Sequence, residues 1–168
     1  ISTHFTKDRS ITEYDVVEPP LGLIALQSYL NHVFKDEVKG KLIKSRIDFD
    51  SYEELDKLIH DFNPDMIGIS SMTFHKDFFH NTISEIRKRG YQKTLIVGGP
   101  HPTTSYQEVL KDENIDICAI AEGELTLVEI LELMINNNKK LPSIEKLKNV
   151  HGIAFSNPTE NNDTTEGI

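Results

Sequence analysis

The sequence predicts a doubly wound α/β fold, a three-layer sandwich built on a central parallel sheet. Short apolar runs of strand length, around residues 66–70, 94–97 and 115–120, alternate with amphipathic stretches of ten or more residues. That order implies parallel pairing through right-handed crossovers. The runs also end in small, hydroxyl or acidic residues, where an ordinary surface turn tolerates almost anything. A length of 168 residues, 38% hydrophobic and 27% charged, suits one globular domain with a full core.

Taken in order, residues 1–20 show no clear period and contain the pair Pro19-Pro20, so they read as a loop. A first strand is expected to be cut off or reduced to a few residues around 1–5. Residues 21–34 place Leu23, Ile24, Ala25, Leu26, Leu30 and Val33 close to helical spacing and predict a buried first helix. Residues 39–46 suggest a strand around Leu42-Ile43, at the sheet margin because of its charges. Ser51-Tyr52-Glu53-Glu54 has the Ser-x-x-Glu form of a capping box, and Leu55, Leu58, Ile59 and Phe62 make one helical face behind it. Asn63-Pro64 stops that helix, since a residue before proline avoids the α region.

A buried strand over 66–70 follows, then an amphipathic helix over 75–89 with Phe78, Phe79, Ile83 and Ile86 inward and Gly90 as its stop. Residues 94–97 form the next strand, 102–111 a short helix, 115–120 a strand, and 125–135 a Leu- and Ile-rich helix ended by Asn136-Asn137-Asn138. Residues 150–155 add a last strand. Residues 1–155 thus make one domain, and 156–168, rich in Asn, Thr and Glu, read as a polar tail or linker.

Composition removes several function classes. A net charge of −9 argues against a nucleic-acid surface, which needs clustered Lys and Arg. No apolar run is long enough to cross a bilayer and the N-terminus lacks the form of a signal peptide, so a cytoplasmic location is expected. The single cysteine, Cys118, excludes an internal disulfide or a Cys-rich metal site, and its apolar surroundings mark a small buried thiol. His4, His32, His60, His75, His80 and His151 show no metal-ligand spacing except His75 and His80, which are five apart and would not share a helix face well, so neither zinc nor iron is expected. No Gly-x-Ser-x-Gly elbow, Walker loop or dinucleotide Gly-x-Gly-x-x-Gly occurs.

In open parallel sheets ligands bind beyond the carboxyl ends of the strands. Three successive strand ends carry Ser70, Ser71, Met72 and Thr73, then Gly98, Gly99, Pro100 and His101, then Glu122, Gly123 and Glu124. Two adjacent glycines remove both side chains where the chain leaves the sheet, which suits close approach of a flat or phosphorylated ligand and equally a tight turn.

These residues resemble the cobalamin (vitamin B12) binding domain found N-terminal to radical S-adenosylmethionine enzymes, a Rossmann-like or flavodoxin-like fold. Ser70-Ser71-Met72 stands where the wider family has Ser-x-Leu, and Gly98-Gly99 where it has Gly-Gly. Pro19-Pro20-Leu21-Gly22, Gly98-Gly99-Pro100-His101-Pro102-Thr103 and Ala121-Glu122-Gly123-Glu124 resemble the radical-enzyme branch, and the likeness covers residues 16–154. It implies that the nucleotide tail passes Gly98-Gly99, and that Ser70 and Thr73, or Ser71, donate to the buried base or phosphate. Met72 packs against the macrocycle or fills the core. His101 bonds a corrin amide or the tail phosphate, and Glu122 or Glu124 accepts from amides or caps a helix.

One departure bears on mechanism. Val17 and Pro19 stand where the wider family has Asp and the cobalt-ligating His of Asp-x-His-x-x-Gly, while Gly22 matches its glycine. The resemblance therefore implies base-off cobalamin with no histidine below cobalt and an apolar loop ending at Leu21 and Gly22. Full-length relatives also use S-adenosylmethionine and a 4Fe-4S cluster, for methyl transfer or for oxidative ring closure of the magnesium-protoporphyrin IX monomethyl ester type. This chain, with one cysteine, would act as a fragment beside an absent radical domain. A flavodoxin- or receiver-like binding or signalling domain and a degenerate, cofactor-free interface domain are the alternatives.

Overall fold

The structure, a computed structural model, describes residues 19–156 and the backbone of 164–167. The first strand expected around residues 1–5 and the loop positions Val16 and Val17 lie outside the described residues. In chain order the elements are α1 (Leu21–Phe34), α2 (Tyr52–Phe62), β1 (Met66–Ser70), a turn of 3-10 helix (Thr73–His75), α3 (Lys76–Lys88), β2 (Thr94–Gly98), α4 (Pro100–Val109), β3 (Ile117–Ala119), α5 (Gly123–Ile135), α6 (Ile144–Leu147), β4 (Ile153–Ser156) and β5 (Thr164–Gly167).

The strands make a single sheet in the order β1-β2-β3-β4-β5. β1, β2 and β3 are parallel, with Ser70 opposite Gly98 and Val97 opposite Cys118. Successive side chains of these strands serve opposite layers. Leu95 and Val97 of β2, Cys118 of β3 and Ala154 of β4 join a core with Leu55 of α2, Ile83 and Ile86 of α3 and Val109 of α4. Ile96, Ile117, Ala119, Ile153 and Phe155 point the other way, into a core with Leu127, Ile130 and Met134 of α5 and Leu147 of α6. This period-two division is what a strand buried on both faces requires, and it makes the molecule the expected three-layer α/β sandwich.

Local signals fix the boundaries. Ser51 caps α2, its Oγ accepting from Glu54 N at 3.2 Å, and the Glu54 carboxylate accepts from Asp50 N at 2.6 Å, one residue before the reciprocal donor of an ideal capping box. Asn63 ends α2 in the left-handed region (φ 49°), which its short polar side chain tolerates. Beneath the sheet's amino edge Arg87 of α3 ties three segments: it donates to the carbonyls of Asn114, Tyr91 and Lys93 and pairs with Asp116 at 2.9 Å. Asp116 in turn accepts from Leu95 N at 2.7 Å.

Four expectations change. The sheet is mixed, not wholly parallel: β4 and β5 run antiparallel to their neighbours. After α5 the segment through α6 carries the chain back to the carboxyl edge, where Gly152 O accepts from Ile120 N at 2.8 Å, so β4 enters from that edge and descends. Residues 164–167, placed in a polar tail by composition, form β5. Residues 39–44 form no strand; only a bridge between Ser45 and Phe49 is present there. And α1 is not a buried helix: only Phe34 is fully buried.

The last two concern one region of the molecule. Along the outer edge of β1 runs an apolar groove of about 630 Å³, walled by Leu23 and Leu30 of α1, Leu58 and Ile59 of α2, and Leu127 and Met134 of α5. Among the described residues no strand lies beside β1 on that side. Leu42 and Ile43 border the groove without a ladder partner, and the apolar stripe of α1 faces it half-covered.

Candidate functional site

The carboxyl ends of β1, β2 and β3 stand side by side, with the β2 end in the middle, and their exit loops are bonded together. Ser71 N donates to Gly98 O at 3.2 Å, and His101 N donates to Ser71 O at 3.0 Å. Ala121 N donates to Thr103 Oγ1 at 3.1 Å, tying the loop after β3 to the first turns of α4. The ends of all three strands thus share one rigid floor.

At its centre is Gly99, the N-cap of α4, with φ +90°. A Cβ there would lie 2.5 Å from Ser70 Oγ and 3.2 Å from Ser71 O, so both conformation and space require glycine. Gly98 differs: a Cβ would meet Ala119 Cβ at 3.6 Å, an ordinary contact. The bare backbone at Gly99 is followed by exposed Pro100 at the start of α4, which supplies no donor of its own and presets the helix.

Around this point Ser70 is half-buried, Ser71 is buried with its hydroxyl donating to Met72 O at 3.0 Å, and Met72 and Thr73 are exposed. On the far side of β2, Glu122 occupies the N-cap of α5 without a side-chain cap bond, and Gly123 and Glu124 form the first turn. Glu124 there complements the helix dipole. α1 packs onto α5, with Leu26 against Gly123, where a Cβ would lie 3.5 Å from Leu26 Cδ1. This sets exposed Leu21 and Gly22 at the same edge.

His101 is placed in the floor in an unexpected way. Its backbone serves the loop, but its ring is buried, 5% exposed, against Phe79 and His80 of α3, with centroids 5.7 and 6.2 Å away. Neither ring nitrogen has a hydrogen-bond partner among the described residues. Burial, aided by the positive fields of His80 and Lys76, holds its pKa below 6.5. His80 itself bonds Asp112 at 2.9 Å. Cys118 lies under α4 with its thiol pushed up to about 12 by burial, an inert filler. Among the described residues no three His, Cys, Asp or Glu side chains converge as a metal-binding set.

Two neighbours of the predicted residues escaped sequence reasoning. Phe74, after β1, is 73% exposed, and Leu125, in the first turn of α5, is 67% exposed. Leu125 falls in the Leu- and Ile-rich helix expected over 125–135, and Phe74 falls between the strand end at Thr73 and the helix expected from 75; the available signal was their position next to strand-end motifs. The groove beside β1 includes none of the predicted site residues in its lining.

An α/β sandwich in which three parallel strands end together at a glycine turn, between hydroxyl and acidic residues, has the outline of the doubly wound class, whose ligands bind beyond the carboxyl ends of the strands. The B12 binding domain model matches residues 11–131, more than half of the chain, and the chain belongs to that family. The "uncharacterized methyltransferase PH0819" of Pyrococcus horikoshii is 27% identical over 139 residues, which is 82% of this chain and 28% of that protein. Among solved structures, the cobalamin-dependent S-adenosylmethionine radical enzyme OxsB, with aqua-cobalamin and S-adenosylmethionine bound, matches with a TM-score of 0.71 at 21% identity. That match covers 89% of this chain and 20% of OxsB, and it shows the shared fold. The N-terminal domain of the hypothetical protein TM0182 of Thermotoga maritima matches less closely, with a TM-score of 0.48 at 28% identity over 66% of this chain and 81% of that one. The chain therefore spans about a quarter of the curated relative and a fifth of the OxsB structure. No helix among the described residues is long and apolar enough to cross a membrane.

Proposed function

We propose that this chain binds cobalamin at the carboxyl edge of β1–β3, as one module of a larger radical S-adenosylmethionine enzyme. The observation that carries the reading is the Gly99 cradle, a point where backbone is bare, conformationally committed to glycine and flanked by Ser70 and Ser71. It fits the nucleotide tail of cobalamin, which needs close passage along backbone and hydroxyl donors beside it. Ser70 and Thr73 are the donors for the tail, and Glu122 and Glu124 accept from the amides at the corrin rim. A tail phosphate reaching the depth of the His101 ring would meet unmet hydrogen-bonding capacity there. Met72, Leu21 and Gly22 supply apolar or bare surface to the macrocycle. Bound cobalamin would contribute a cobalt centre able to carry a methyl group or electrons.

With proline at position 19, where the wider family has its ligating histidine, this reading includes base-off cobalamin without a protein imidazole below cobalt. S-adenosylmethionine and the 4Fe-4S cluster belong to the remainder of the enzyme, since one buried cysteine supplies no cluster ligand set. Methyl transfer is the reaction favoured, in keeping with the name of the Pyrococcus relative; oxidative ring closure is the other outcome the same module would serve.

The test is an ultraviolet–visible titration with hydroxocobalamin and methylcobalamin, followed by gel filtration to remove free corrin. Retained corrin with a base-off spectrum is expected, lost in Gly99→Trp. A base-on spectrum would refute the base-off assignment, and no retention by the folded chain would refute cobalamin binding by this module.

A further inference from the structure

Glycines, hydroxyls and acids at the carboxyl edge suit a nucleotide tail and amides, yet large apolar side chains also stand in water there. Phe74, Leu125 and Leu21 are 73%, 67% and 70% exposed, and Met72 beside them is 45% exposed. Exposed apolar residues scattered singly need no explanation; several at one edge of the sheet mark a binding surface. Their placement follows from topology. β2 lies between β1 and β3, so Phe74, on the exit of β1, and Leu125, on the exit of β3, stand on opposite sides of the Gly98-Gly99 turn. Two strand spacings separate those exits, about 10 Å.

Polar residues are interleaved with this apolar pair. Thr73 is exposed beside Phe74, and Glu122 and Glu124 flank the first turn that carries Leu125. A ledge of apolar side chains bordered by donors and acceptors matches a flat macrocycle with a polar periphery better than it matches a compact polar ligand.

Resting on the cobalamin reading, we propose that Phe74 and Leu125 are binding residues for the corrin macrocycle itself, gripping its apolar face from the two sides of the glycine turn. Recognition is then divided. Gly99 and its serines take the nucleotide tail, and the Phe74–Leu125 ledge takes the ring, so the ledge also serves a corrin that has no tail.

The experiment measures binding of methylcobalamin and of dicyanocobinamide, the corrin without its nucleotide, to the wild-type chain and to Phe74→Ser, Leu125→Ser and Val33→Ser. Val33 is 38% exposed in the last turn of α1, at the opposite edge of the sheet, and serves as the control. Loss of a covered apolar side chain weakens binding by on the order of tenfold. Both ledge variants are therefore expected to lose that much affinity for both corrins, Val33→Ser is expected to match wild type, and Phe74→Leu to retain most of the affinity. Circular dichroism matching wild type establishes that the variants fold. Wild-type binding of both corrins with ledge variants within twofold of it would overturn the ledge and leave the cobalamin reading standing. Binding of methylcobalamin without cobinamide would also overturn it, by assigning all affinity to the tail. A folded wild-type chain that binds neither would overturn the cobalamin reading and the ledge with it.

Discussion

Gly99 is the residue on which site geometry and chain stability meet. Its φ of +90° and the 2.5 Å separation a Cβ would have from Ser70 Oγ mean that Gly99→Ala must strain the backbone and displace Ser70. A loss of about 2 kcal/mol in urea denaturation is expected. Gly98→Ala, with its nearest new contact at 3.6 Å, should cost under about 1 kcal/mol; equal losses would refute the distinction. The sequence showed two glycines and could not rank them, because the difference is set by φ and by a neighbour nearly thirty residues upstream. His101 shows the same limit. Its motif marked it for a corrin amide or the tail phosphate; that its ring packs against α3 is a fact of tertiary structure the motif does not display. That burial has a pH signature. A histidine whose folded pKa lies below its unfolded value of 6.5 binds more protons when unfolded, so stability is complete above pH 6.5 and falls as the pH drops from there toward the folded pKa. His101→Phe should flatten the stability profile over that window, and an unchanged slope in the variant would place the titration elsewhere. Asp112 has its own, lower window: burial pushes its pKa up, but hydrogen bonds from His80 and Asn114 win and hold it below 3.8, so its contribution is lost only in stronger acid.

At the scale of elements, helices and buried strands were the legible part of the fold. The expected bounds of the first helix, 21–34, are those of α1, and the Ser51 box caps α2 as its spacing implies. Legibility failed where an element depends on a partner. Leu42 and Ile43 have strand-like character, yet a strand exists only through its ladder, and among the described residues this segment has none. β4 looked like one more parallel strand because the sequence does not display direction; the return through α6, a single turn of four residues too short for a period, decides it. α4 contains a break at Ser105 (φ −137°) that periodicity also cannot show. The element junction most dependent on one side chain is the amino edge below β2 and β3. Arg87, whose side chain is only 14% exposed, satisfies three carbonyls and Asp116 there. Arg87→Met keeps the aliphatic packing and removes every one of those bonds, so a loss of about 3 kcal/mol is expected by denaturation. A loss under about 1 kcal/mol would mean that the strap is replaceable by water.

For the whole molecule, the two ends of the sheet have separate duties. The amino edge is closed by Arg87 and its carbonyls, while the carboxyl edge presents three loops from three strands, held together by a few backbone bonds at Ser71, His101 and Ala121. A ligand seated across those loops contacts parts of the chain far apart in sequence, and it does so only in the folded state. Binding must therefore raise global stability by linkage. At a free corrin concentration about 100 times the dissociation constant the gain is about 2.7 kcal/mol, which for a chain of this size raises the melting temperature by roughly 5–10 °C. Methylcobalamin should produce that shift in the wild-type chain and none in Gly99→Trp, provided the variant alone melts as a folded protein. The net charge of −9 predicts a further sign: attraction to the neutral corrin owes little to long-range fields, so the shift should change little between low and high salt. A shift that collapses in salt would point to an ionic surface association, and a shift retained in Gly99→Trp would place the corrin away from the glycine floor.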